Sequence, residues 1–246
     1  MSKPVCLVIG AGAGIGGNVA KKFALEGYHA HLCRRSDEAG LQNLVDQITQ
    51  AGGSATGQLL NAIDDDAIEK VVNEVEEKIG SIDVAIYNLG AQIGDRPLAG
   101  TSHKAFEMGW RLATFGLYRL AFALMPLMEK RGHGTLLVTS ATSAVRGNKG
   151  QHSHAAAMGG RRMLCQTLNA EFSPKGIHIA HILIDGAVDA PDRLPQTVVG
   201  ERLVLHGNLP VGDTLREVLP PDDVFRVGRD RRGRRDVRVG RLLFRE

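Results

Sequence analysis

Hydrophobic positions in this chain fall into two alternating patterns. Short unbroken apolar runs, beginning with Val5, Cys6, Leu7, Val8 and Ile9, have the length of a strand and no polar face. Between them lie longer stretches in which apolar residues recur every three or four positions, such as Val19, Phe23, Ala24 and Leu25, or Leu41, Leu44, Val45 and Ile48. Such largely apolar runs predict strands at 5–9, 28–33, 82–87, 135–139 and 177–183, and a short, more polar strand is read at 54–60. The periodic stretches predict a helix after the first strand and a second from Asp37 to the stop at Gly52 and Gly53. A third follows Asp64, Asp65 and Asp66, and two more cover 101–130 and 154–172. The three acids suit a helix N-terminus, where a carboxylate caps free amides and meets the positive dipole end. Strands without a polar face need helices on both sides of their sheet, and alternating strands and helices give parallel neighbours. The predicted fold class is therefore α/β, a doubly wound parallel sheet of Rossmann type in a single domain.

The first strand runs into Gly10, Gly12, Gly14, Gly16 and Gly17 without a spacer. Strand, glycines, then helix is the order that dinucleotide binding requires. Glycine lets the backbone turn sharply and approach a pyrophosphate, whose charge sits at the positive helix N-terminus. Two spacings fit: Gly12, Gly14 and Gly17 as G-x-G-x-x-G, and Gly10, Gly14 and Gly16 as G-x-x-x-G-x-G. The second strand ends in Arg34 and Arg35, where such a fold places the adenosine ribose. An acid there would bond a free 2′-hydroxyl; Arg34 pairs instead with a 2′-phosphate, which predicts NADP rather than NAD. His29 and His31 share one face of that strand, but two ligands without a third read as structural, and no metal is expected.

Length and charge narrow the alternatives. A chain of 246 residues can bury one substantial core, and a formal charge of +3 is too small to imply a polyanionic partner. Cys6, Cys33 and Cys165 are odd in number and lie in apolar contexts, so reduced thiols in a cytoplasmic protein are expected. No apolar run approaches membrane-spanning length, and the first one is used by a strand rather than a signal segment. After Pro195 the composition shifts to Arg, Val, Gly, Leu, Pro and Asp, with no alanine, isoleucine, lysine or serine. This divides the chain into a nucleotide-binding domain over 1–195 and an atypical arginine-rich segment over 196–246. Residues 226–245 are strongly basic, yet they lack the interleaved aromatics of a nucleic-acid surface, and no nucleic-acid partner is expected. An out-of-frame reading of a GC-rich gene would produce the same residue usage.

Several motifs together resemble the short-chain dehydrogenases/reductases, from about residue 5 to residue 191. They are the turn of Gly10, Gly14, Ile15 and Gly16, the Asn88-Leu89-Gly90 after the fourth strand, and the strand over 134–140. Pro174-Lys175-Gly176-Ile177 and Asp185-Gly186 complete the set. The resemblance implies a nicotinamide cofactor, with Asn61 near the adenine and Asn88 and Gly90 along the nicotinamide side. It implies a small-molecule carbonyl or alcohol as substrate, and a seventh strand for which 237–244 is the candidate. It also implies a homodimer or homotetramer, in which Ala155, Ala156, Ala157, Gly159 and Gly160 would let a helix pack closely against its partner.

The family's chemistry uses a serine, a tyrosine, a lysine four residues later and an asparagine on the long helix. Here those positions hold Ala141, His154, Met158 and Ala113, and no Tyr-x-x-x-Lys occurs anywhere. His154 exchanges protons near neutrality without a lysine's help, since its ordinary pKa is about 6.5. Ser140, Thr142 or Ser143 would orient a substrate oxygen, while a thioether at Met158 replaces no cation. Two readings follow. One is an NADP-dependent oxidoreductase with His154 and Ser140 at its catalytic centre; the other is a catalytically inactive NADP-binding sensor or oligomer partner.

Overall fold

The computed structural model describes residues 3–90 and 97–185, together with the backbone of four short strands beyond them. Six strands lie parallel: β1 (Val5–Ile9), β2 (His29–Arg34), β3 (Ser54–Leu59), β4 (Ile82–Tyr87), β5 (Gly134–Ala141) and β6 (Ile177–Asp185). Their spatial order is β3-β2-β1-β4-β5-β6, so the chain winds outward from β1 and then crosses back to β4 on its other side. That crossing opens a crevice at the carboxyl ends of β1 and β4, where ligands bind in sheets of this kind.

The apolar runs work as a doubly covered sheet requires. Val5, Leu7 and Ile9 join a core layer with Val71, Val75, Leu120 and Leu124, while Cys6 and Val8 join the opposite layer with Ala20 and Phe23. Helices α1 (Ile15–Leu25) and α2 (Glu38–Gln50) cover one face. Helices α3 (Ala67–Lys78), α5 (Gly116–Arg131) and α6 (His152–Phe172) cover the other. Asp37 caps α2 as expected, its Oδ1 accepting from Gly40 N at 2.9 Å. At α3 the expectation needs correction. Asp66 holds the cap position but makes no cap hydrogen bond, and the Asp64 carboxylate is taken by Asn61 Nδ2 at 2.7 Å.

The single helix expected over 101–130 is broken in kind, though not in direction. It comprises α4 (His103–Trp110), a π-helical turn over Arg111–Phe115, and α5. Within the turn, side chains from elsewhere use two carbonyls: Tyr87 Oη donates to Leu112 O and Arg161 Nε to Ala113 O. Taken whole, His103–Arg131 is long and apolar enough to cross a membrane by length and composition, contrary to the expectation that no segment approaches that limit. Half of its most apolar 18-residue stretch is buried within the fold, where Leu117, Leu120, Leu124 and Met128 pack in the core and Arg119 pairs with Glu69 on α3.

Beyond residue 185, β7 (Arg202–His206) runs antiparallel to β6 and β8 (Glu217–Val218) antiparallel to β7. The strand that follows β6 in this sheet is at 202–206, a short run containing Leu203, Val204 and Leu205; of the expected seventh strand at 237–244, residues 239–244 lie outside the described residues. Val237 belongs to β10 (Arg235–Arg238), which pairs with β9 (Arg226–Arg229) in a separate hairpin.

Candidate functional site

A cleft of about 660 Å³ opens at the β1–β4 crossing. Six residues singled out from the sequence line it together: Gly10, Gly12, Arg34, Asn61, Asn88 and Gly90. Gly14, Ile15 and Gly16 form the turn and first helical residues that shape it. Gly10 has φ +96°, and a Cβ there would meet Asn88 O at 2.8 Å. A Cβ on Gly16 would collide with Gly10 O, and one on Gly17 would meet Gly12 O at 2.6 Å. The backbone thus needs glycine at Gly10, Gly16 and Gly17. Gly12 differs, because a Cβ there meets nothing within 4 Å, so its hydrogen opens onto free space. At Gly14 no side chain caps α1, which leaves its N-terminus available to an anion.

Asn88 ties this turn to the neighbouring strands. Its Nδ2 donates to Gly10 O at 2.9 Å, and its Oδ1 accepts from Thr139 Oγ1 at 2.8 Å. Asn61 keeps one polar atom for something else, since its Oδ1 is buried without a hydrogen-bond partner. An open glycine, an uncapped helix and an orphaned amide oxygen along one cleft fit a dinucleotide. At the end of the cleft beside β2, Arg34 stands with Arg35 and Ser36, two donors the sequence reading did not assign to the site. Arg34 already holds Asp37, Nη2 to Oδ2 at 3.1 Å, so an incoming phosphate would share or displace that carboxylate.

The expected acid–base residues sit beside the cleft rather than in its lining. Ser153 lines it, and its hydroxyl donates to Ala105 O and Phe106 O, which anchors the start of α6 to α4. His154 follows immediately. It is half-buried, and its Nδ1 is buried without a partner. Burial first, and then the charge of Arg161, hold its pKa below the ordinary imidazole value. Ser140 is not joined to it by any hydrogen bond described here: the buried Ser140 hydroxyl points to Met158 Sδ at 3.5 Å. Ser143 is the serine of that turn whose buried hydroxyl has no partner. His152 is the exposed first residue of α6.

Arg161 is the residue that sequence reasoning missed. Its side chain is 1% exposed and lies 5.2 Å over the Tyr87 ring. The signal was its spacing: His154, Met158 and Arg161 stand at i, i+4 and i+7, one face of a helix. The small residues nearby do not all serve a partner chain. A Cβ on Gly160 would meet Thr114 Oγ1 at 3.1 Å, and Ala157 O accepts from that hydroxyl at 2.7 Å. Ala157 and Gly160 therefore pack α6 against the π turn, and only the exposed Ala156 and the open side of Gly159 face outward. The two histidines of β2 are engaged too: His29 with Ser54 and Thr56, and His31 with Thr56 and Gln58.

Comparison with known proteins bears on this geometry. Residues 4–191 match the short chain dehydrogenase family. The chain is 31% identical over 200 residues to the short-chain reductase protein NovJ of Streptomyces niveus, covering 80% of this chain and 75% of that protein. It is 28% identical over 194 residues to the 3-oxoacyl-(acyl-carrier-protein) reductase FabG of Thermotoga maritima, covering 78% of each. Among solved structures, a short-chain dehydrogenase from Rhodopseudomonas palustris superposes with a TM-score of 0.70 at 33% identity. That match covers 73% of this chain and 84% of that one.

Proposed function

The chain belongs to the short-chain dehydrogenases/reductases, and from that premise we propose that it is an NADP-dependent oxidoreductase interconverting a small-molecule alcohol and its carbonyl. The observation that carries this reading is the single cleft joining the glycine turn and Arg34 to Asn88, Gly90 and the start of α6. Gly10, Gly12 and the α1 N-terminus would hold the pyrophosphate, Asn61 the adenine, and Arg34 with Arg35 the 2′-phosphate. When bound, the nicotinamide ring supplies hydride exchange with a substrate carbon.

The chain's own residues then handle the proton. His154 takes the place of the tyrosine found in the family, and its low pKa leaves the imidazole neutral at pH 7. A neutral imidazole accepts the hydroxyl proton of an alcohol as the carbon loses hydride, and the product is a carbonyl. In the reverse direction the oxygen must receive that proton from an imidazolium, so carbonyl reduction rises as pH falls. The turn after β5 would supply the donor to the substrate oxygen, and the unpartnered Ser143 hydroxyl supports that role better than Ser140, whose hydroxyl is turned to Met158 Sδ. Buried free thiols at Cys6, Cys33 and Cys165 support a reducing, cytoplasmic setting.

The test is turnover of an alcohol and carbonyl panel by the unmutated protein and by His154→Ala. General acid–base help is worth about 10²–10⁴-fold, so the substitution should cut turnover on that scale while NADPH affinity stays nearly unchanged. Equal rates would remove His154 from the mechanism. Tight NADPH binding without turnover of any panel member would overturn the enzymatic reading in favour of cofactor sensing.

A further inference from the structure

Arg161 has no part in the reaction as described, yet it is a costly residue to hold where it is. Taking an ion out of water costs several kcal/mol, and buried cations ordinarily have an anion beside them. Among the described residues no carboxylate lies within ion-pair distance of this guanidinium. Three backbone carbonyls hold it instead. Nε donates to Ala113 O at 2.8 Å, Nη1 to Thr139 O at 2.6 Å and Nη2 to Leu89 O at 2.6 Å. These dipoles satisfy three donors and leave the net charge in place.

One acceptor stands in the cleft wall and the other two lie directly behind it. Leu89 lines the cleft, Ala113 follows Leu112, which lines it, and Thr139 bonds Asn88, which lines it. The charge reaches the acid–base residue as well, since it acts on the imidazole of His154 two turns back on the same helical face. Of the other charged residues on elements packed against this end of α6, His103, Lys104 and Glu107 lie on α4 and Arg111 in the π turn. A purely structural role explains this poorly, because an apolar side chain between α6 and the sheet would fill the space without the desolvation cost.

We propose that Arg161 is a positioning residue that supplies the site's fixed positive charge, reaching it from one turn further along α6 than Met158. From behind the wall of Leu89, Ala113 and Thr139 it stabilises the negative charge that gathers on the reacting oxygen. This rests on the alcohol–carbonyl reading above. The oxygen carries most charge between loss of its proton to His154 and loss of hydride from its carbon, and a fixed cation favours that moment.

Three variants test it: Arg161→Leu, Arg161→Lys, and Arg161→Leu combined with Met158→Lys. Turnover is measured together with melting temperature and with the titration of the His154 ring by NMR in the protein without ligands. Arg161→Leu should lower kcat by about 10²–10³-fold, with KM little changed, as loss of a group stabilising an oxyanion does. Its His154 pKa should rise, because a neighbouring positive charge is gone. The double variant returns a cation to the same helical face, so it should recover at least tenfold of the lost turnover and lower the His154 pKa again. Arg161→Lys keeps the charge but loses the fork, so it should melt earlier yet stay well above Arg161→Leu in turnover. Undiminished turnover in Arg161→Leu, or a folded double variant no better than it, would overturn the proposal.

If Arg161→Leu fails to fold, Arg161→Lys decides the matter: a folded lysine variant as slow as His154→Ala counts against the charge. If the unmutated protein turns over nothing, the alcohol–carbonyl reading fails, and the titration still judges Arg161. An unchanged His154 pKa in any folded Arg161→Leu protein would then remove its electrostatic role.

Discussion

Arg34 lines the cleft at the end of β2, and on the proposed reading its side chain selects the cofactor. Its guanidinium is partly exposed and held by Asp37, which itself caps α2, so the arginine is oriented before any phosphate arrives. A charge-assisted hydrogen bond is worth about 1.5–3 kcal/mol, or roughly 10–100-fold in affinity. NADPH should therefore bind at least tenfold more tightly than NADH, and Arg34→Asp should remove or reverse that preference. Fluorescence titration measures both, and equal affinities in the unmutated protein would show that Asp37 keeps the arginine. Arg34 was legible in the sequence because it ends a strand at a place the glycine turn defines. Arg161 was not, because Arg161 and Arg162 look alike in the sequence. Only the helical face shared with His154 and Met158, and the close approach permitted by Gly160, send the first of the pair inward.

Among the elements, β1 declared itself by an unbroken apolar run and β4, β5 and β6 by largely apolar ones, and helix ends by Asp37 and the glycines. The π turn did not, because its carbonyls are claimed by Tyr87 and Arg161 from distant parts of the chain, which no local pattern encodes. The edge of the sheet holds another feature that was half legible. His29 and His31 share a face, as alternation requires, but their partners Ser54, Thr56 and Gln58 appear only once β3 pairs in register with β2. Burial dominates at His31 and pushes its pKa down to about 4 from an ordinary 6.5, against a weaker upward pull from the Gln58 hydrogen bond. The folded state thus binds this proton less readily than the unfolded chain. Its stabilising share is intact above pH 6.5 and is lost as pH falls toward 4. Linkage puts the loss at about 2 kcal/mol between pH 7 and pH 5. Urea denaturation at those two pH values should show it, and His31→Gln should flatten the difference between them by that amount. A variant as acid-sensitive as the parent would place the effect elsewhere.

At the scale of the whole molecule, the alternation of patterns foretold the six parallel strands, and the crossing between β1 and β4 placed the cleft. The family match ends at residue 191, just before the composition changes after Pro195. Assembly is the remaining question of this scale. The sequence pointed to the small residues of α6, but Ala157 and Gly160 are used inside the fold. The outward surface is on the long helical segment instead, where Trp110, Phe115, Tyr118 and Phe122 form a row of rings with centroids 5.3, 6.1 and 6.0 Å apart. Trp110, Tyr118 and Phe122 are 44%, 48% and 67% exposed, and Phe106 adds another 44% one turn before the row. Large side chains of this kind bury about 150–250 Å² each, and contiguous apolar patches of that combined size mark interfaces rather than solvated surface. A second copy of the chain meeting this face would bury two such rows against each other, as a two-fold contact requires. Light scattering should therefore give a mass of at least twice the 26.4 kDa chain, and Tyr118→Glu with Phe122→Glu should reduce it to that of one chain. Both substitutions are at exposed positions remote from the cleft lining, so NADPH affinity measured on the monomer should change little. A monomeric parent, or a double variant with unchanged mass, would show that this row is covered by something other than a second copy.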